Sequence, residues 1–149
     1  MAEKEAAAIR YAVTPLNFKG EILFSPCIDG NVKNEDANYD EMFWEIQGTD
    51  AEKGFAYLHA VTKKTKFHIG VGMRYAIEID EPAVVVADVI REDGVVGNWI
   101  RVNVDEPKEI IFYKYAAVLS SLNYEPNQLL KDTTELLDKV YNLGYNTLF

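Results

Sequence analysis

KFHIGVGMRYAIEID, residues 66–80, is the stretch that decides the fold class. Phe67, Ile69, Val71, Met73, Tyr75, Ile77 and Ile79 alternate with Lys66, His68, Gly70, Gly72, Arg74, Ala76, Glu78 and Asp80. Successive side chains of a strand point to opposite faces, so seven apolar positions in step describe a long strand with one side on a core. Gly70 and Gly72 occupy the other face and point to a bend, a bulge or the close approach of another backbone.

Working outward, residues 7–14 read as a strand closed by Pro15, and residues 20–28 as a second, with Ile22 and Phe24 on one face. Further strands are expected over 55–62, 83–91, 97–104 and 108–120. They are separated by the turn signals Glu81-Pro82, Glu92-Asp93-Gly94 and Asp105-Glu106-Pro107. Strands that follow one another without helices between them pair antiparallel and stack as a sandwich. Their length favours large curved sheets over a small immunoglobulin-like module. The period changes near the end. Leu129, Leu130, Thr133, Leu136, Leu137, Val140 and Tyr141 fall at helical spacing, after Pro126 and before Gly144. That amphipathic helix must cover something, either the sheet or another domain.

Composition is that of a soluble globular chain, with 48% hydrophobic and 26% charged residues in 149. The longest apolar run, 83–87, is far short of a membrane span, and residues 1–11 lack the apolar centre of a signal peptide. A cytoplasmic location, with no membrane partner, is the expectation. A net charge of −9 repels nucleic acid, and the one basic cluster, Lys63, Lys64 and Lys66, is too short to track a phosphate backbone. The single cysteine, Cys27, rules out an internal disulfide and has an acid, Asp29, nearby rather than an activating base. His59 and His68 sit in separate strands with no third ligand, so no metal is assigned to them.

Residues 7–44, AAIRYAVTPLNFKGEILFSPCIDGNVKNEDANYDEMFW, carry a resemblance. The elements Ile9-Arg10-Tyr11, Thr14-Pro15-Leu16-Asn17-Phe18, Gly20, Asp29-Gly30, the run from Val32 to Glu41 and Phe43-Trp44 resemble the N-terminal sandwich of family 65 glycoside phosphorylases, the group acting on maltose, kojibiose or trehalose. A looser likeness covers residues 110–122. The resemblance implies a mostly β fold, an antiparallel super-sandwich of the galactose mutarotase-like kind with a C-terminal amphipathic helix. Residues 1–122 would be the sandwich portion, and 123–149 a linker helix leading to an (α/α)6 barrel. It implies that the catalytic acid and the phosphate site lie on that barrel. On this reading the chain is a non-catalytic scaffold and dimerisation piece, a fragment or a truncated product, with no cofactor. Its expected partners are the helical barrel and a second copy. The alternative is an independent carbohydrate-binding sandwich using Trp44, Trp99 and surface tyrosines.

The segment 29–45 is the place to look for ligand contacts, because long ordered loops on rigid sandwiches often carry function. Three readings stand. The loop can be structural, anchored by Phe43 and Trp44. It can touch a sugar, with Tyr39 or Trp44 stacking on a pyranose and Asp36 and Asp40 bonding hydroxyls. It can hold calcium on Asp29, Asp36, Asn38 and Asp40, although the EF-hand spacing is absent. Pairs such as Glu35 and Asp40 can be drawn as an acid and base, but spacing within a loop fixes no geometry, and no catalytic residue is assigned.

Overall fold

The structure, a computed structural model, describes residues 3–33, 41–79, 85–105 and 107–148. Its strands are β1 (Ala6–Val13), β2 (Gly20–Phe24), β3 (Cys27–Asp29), β4 (Trp44–Glu52), β5 (Phe55–Thr62), β6 (His68–Ile79), β7 (Val85–Glu92), β8 (Val95–Val104) and β9 (Ile110–Ser120). A short 3-10 turn, Pro126–Gln128, leads into α1 (Leu129–Leu143), and α2 (Tyr145–Leu148) follows. All the strand pairs are antiparallel. The larger sheet runs β1-β9-β6-β5-β4, and the smaller is built around β8, with β2 and β3 on one side and β7 on the other.

The alternation has the expected consequence within β6, whereas Phe67, in step with it, falls before the strand and is exposed. Met73, with its neighbours Ala56, Leu58 and Ala60 of β5, meets Ile28 and Val96 of the smaller sheet. Tyr75, Ile77 and Ile79 join Phe24, Ile100, Val102 and Phe112 further along the same interior. Met73, Ile100 and Val102 are completely buried, and each such side chain contributes about 1.5–3 kcal/mol relative to an exposed position.

The opposite face of β6 is covered as well. Leu129, Leu137 and Val140 of α1 pack on Phe55, Tyr57, Tyr115, Ala117 and Leu119. The question of what the amphipathic helix covers is thus answered by the sheet of this same chain. Gly70 and Gly72 make the approach possible. A Cβ at Gly72 would lie 2.6 Å from Cγ2 of Thr133 and 2.7 Å from Cδ1 of Leu137. At Gly70 it would stand 2.9 Å from the hydroxyl of Tyr57 and 3.0 Å from Oγ1 of Thr133. The glycines therefore mark close approach by helix side chains, rather than a bend. The helix ends at Gly144, whose φ of 74° is open to glycine and whose N–H caps the carbonyls of Val140 and Tyr141.

Two expectations change. Residues 20–28 form one pairing line along β8, with Phe24 opposite Ile100 and Cys27 opposite Gly97. Pro26 divides that line into β2 and β3 because it has no N–H to offer, and its position on an edge makes this tolerable. Asn98 still donates its backbone N–H to the Pro26 carbonyl at 3.0 Å. The second change is β4, a strand not foreseen from sequence. Its WEIQGTDAE carries charges, Gly48 and a register shift between Ile46 and Gly48, which hide a period-2 signal. It lies at the edge of the sheet, where such residues discourage pairing with other chains. No helix among the described residues is long and apolar enough to cross a membrane.

Replacing Gly72 with Val should lower unfolding free energy by about 1–3 kcal/mol, the usual cost of overpacking. Ala at Gly48, where nothing lies within 4 Å of the added Cβ, should change it by no more than about 0.5 kcal/mol. Urea denaturation of the two variants checks this, and equal effects would show that α1 does not bear on β6.

Candidate functional site

Asp36, Tyr39 and Asp40, together with Asn38 of the calcium alternative, lie outside the described residues; the two feet of the segment 29–45 are described. The first foot is tied to the β7–β8 turn. Asn31 donates its backbone N–H to Oδ1 of Asp29 at 2.8 Å and its Nδ2 to the Asp93 carbonyl at 2.7 Å. Gly30 donates its N–H to the Gly94 carbonyl at 2.8 Å. Gly30 is buried against Ile46 and Leu58, whose Cδ1 atoms would each stand 2.7 Å from an added Cβ. One carboxylate oxygen of Asp29 is therefore already engaged in a local turn.

Trp44 forms the second foot. Its Nε1 donates to the Gly30 carbonyl at 2.9 Å, and its ring packs against the cluster containing Ile28, Leu58 and Met73. The indole thus clasps the two feet together while remaining half-buried. Next to it, Phe43 accepts the backbone N–H of Lys63 at 2.8 Å. The anchoring expected of Trp44 is thus present, whereas Phe43 contributes only its backbone carbonyl and leaves its ring exposed.

A cavity of about 490 Å³ opens beside the second foot, lined by Glu41, Met42, Phe43, Thr62, Lys63, Lys64 and Thr65. Antiparallel pairing of Trp44 with Thr62 brings the two sides together across nearly twenty residues of chain. No local pattern in the sequence could have shown that. The turn is held by Thr62, whose Oγ1 lies 2.6 Å from that of Thr65 and accepts the Phe67 N–H at 2.8 Å. Lys66 completes it in the left-handed region at φ 58°. Lys63 and Lys64 thus form one wall of a recess next to the loop.

The two histidines, read separately from the sequence, meet. His59 Nε2 and His68 Nδ1 are 3.0 Å apart and the rings stack at 5.1 Å. The contact is diagonal across β5 and β6, since His59 pairs with Gly70 and His68 with Val61. His59 also lines a recess of about 400 Å³ with Asp50, Tyr57, Asn127 and Leu130. Burial, and then the charge on His68, hold the His59 imidazole below its ordinary value of 6.5, and burial pushes the Tyr57 phenol up to about 12. Among the described residues no group of three His, Cys, Asp or Glu could hold a metal ion. Cys27 is half-buried; its carbonyl accepts Nζ of Lys114 at 2.8 Å, and burial lowers the lysine below its ordinary value.

A lowered His59 means that the folded chain takes up its proton less readily than the unfolded chain. Its contribution to stability is complete above about pH 6.5 and is lost as pH falls below that value. The melting temperature of the protein should therefore fall more steeply from pH 6.5 downward than that of His59→Gln. Parallel curves would exclude the effect.

Comparison with known proteins adds the following. Glycosyl hydrolase family 65, N-terminal domain, matches residues 1–149. Maltose phosphorylase of Bacillus subtilis is 28% identical over 145 residues, covering 97% of this chain and 19% of that enzyme. Alpha,alpha-trehalose phosphorylase of Thermoanaerobacter brockii is 27% identical over 155 residues, again 19% of its length. Among solved structures, a putative kojibiose phosphorylase from the human microbiome shares the fold with a TM-score of 0.75 at 13% identity, over 97% of this chain and 18% of that one. The chain spans about a fifth of the length of these relatives.

Proposed function

The chain belongs to glycosyl hydrolase family 65 through its N-terminal domain, and from that premise we propose that it is the non-catalytic sandwich of a disaccharide phosphorylase. The parent reaction would be phosphorolysis of an α-linked glucose disaccharide such as maltose to glucose 1-phosphate and glucose. The observation that carries this reading is one of proportion. Nearly all of this chain corresponds to less than a fifth of a maltose phosphorylase and of a trehalose phosphorylase.

The arrangement of side chains supports a scaffold. The interior between the sheets and the interface under α1 are both filled with apolar groups. The described feet of the candidate loop spend their polar atoms on tying it down. On edge strand β1, Ile9 and Tyr11 remain exposed, as do Leu16 and Phe18 in the loop after it and Leu23 on β2. Exposed apolar groups beside an open sheet edge favour association, here with a helical barrel reached through residues 123–149, or with a second copy.

Incubation of the protein with maltose, kojibiose or trehalose and phosphate should release no glucose 1-phosphate, and light scattering should report a dimer or larger species. Steady release of glucose 1-phosphate would overturn the non-catalytic assignment. A clean monomer would remove the self-association.

A further inference from the structure

Helix α1 does not cover the whole outer face of the large sheet. Thr133 and Leu137 sit over Gly70 and Gly72, and Asp138 pairs with Arg74 at 2.6 Å. The next residues on that face of β6 are Ala76 and Glu78, and by then the helix is ending. Gly144 turns the chain, and Leu148 of α2 returns to the apolar cluster under α1. What remains is an open cleft of about 420 Å³. Ala76, Glu78 and Tyr113 line it from the sheet, and Tyr141, Tyr145 and Asn146 from the helical segment. Its volume is in the range of small-molecule sites. Ala76 lies directly across from Tyr113 in the β6–β9 register, so a methyl group stands beside a large ring and leaves the floor deep.

The lining is amphipathic in a particular way. The rings of Tyr113 and Tyr145 are 5.8 Å apart and inclined at 45°, so they present two differently directed aromatic surfaces. Tyr113 donates its hydroxyl to Oε2 of Glu78 at 3.1 Å, which holds the carboxylate beside the ring. The Asn146 amide can both donate and accept. Sugars match this combination. The C–H face of a pyranose packs on an aromatic ring, and its hydroxyls bond carboxylates and amides. We propose that this tyrosine cleft binds a neutral saccharide of one or two rings.

The main rival guest for tyrosines beside a carboxylate is an organic cation. The surroundings disfavour one. The Arg74 guanidinium, paired with Asp138, already lies 6.0 Å from the Tyr141 ring centre and 5.7 Å from that of Phe55, so the Tyr141 ring is taken. The Tyr113 hydroxyl already occupies one oxygen of Glu78. The cleft lies on the helix-covered side of the large sheet and involves none of the residues of the segment 29–45. The proposal therefore stands independently of the scaffold reading.

Titrating the 15N-labelled protein with glucose, with maltose and separately with choline, each to about 50 mM to reach the millimolar affinity of a small sugar site, tests it by NMR. Saturable amide shifts are expected for residues 76–78, 113 and 143–147 with the sugars and none with choline. Glu78→Gln and Asn146→Ala alter exposed side chains and should keep the melting temperature, while Glu78→Gln weakens sugar binding about tenfold through loss of charge-assisted hydrogen bonds. The proposal fails if neither sugar shifts these amides or if the shifts fall only on residues 41–44 and 62–65. It fails equally if neither variant changes affinity, or if choline binds in place of sugar.

Discussion

Helix α1 can lie against the large sheet because β6 offers bare backbone at Gly70 and Gly72, where Thr133 and Leu137 descend. An ordinary side chain at either position would lift the helix, and with it Leu129, Leu137 and Val140 from the cluster they share with Tyr57, Tyr115 and Leu119. The same strand sends Met73, Tyr75 and Ile77 into the space between the sheets. Two layers of packing thus meet in one strand, each on its own face. That arrangement also places the outer cleft, since the sheet is left bare where the helix runs out past Arg74.

Much of this was legible in residues 66–80. The alternation from Ile69 to Ile79 gave the strand and the direction of its core face, while Phe67 continued the pattern beyond the strand's actual start. The glycines on the other face carried a signal too, although it was ambiguous. Sequence could say that something came close, but a contact with residues sixty positions away depends on how the chain returns, which no local period encodes. The helix was clear from its spacing. Its two flanks were harder to rank: Leu130 and Tyr141 fit the apolar stripe yet stay exposed, because the sheet presents a narrower surface than the stripe.

What escaped the sequence reading has a common cause. β4 is an edge strand whose polar and small residues serve to keep other chains off, so it lacks the pattern by which strands are recognised. The histidine pair, and the cavity joining Glu41 to Lys63, arise from cross-strand pairing. Trp44 was singled out as a loop anchor or a sugar-stacking ring, and the structure puts its indole N–H on the Gly30 carbonyl. The tyrosine cleft draws its lining from β6, β9 and the end of α1, segments spread over some seventy residues.

Family membership and fold agree on a family 65 N-terminal domain, which matches about a fifth of the length of the phosphorylases it is similar to. As part of that domain's core, α1 must share the stability of the sheet. Native-state hydrogen exchange tests this most directly. The account predicts that the slowest amides of α1, β6 and β9 exchange with one common free energy, equal to that of global unfolding. Exchange of α1 at a distinctly lower free energy, with β6 and β9 still protected, would contradict it.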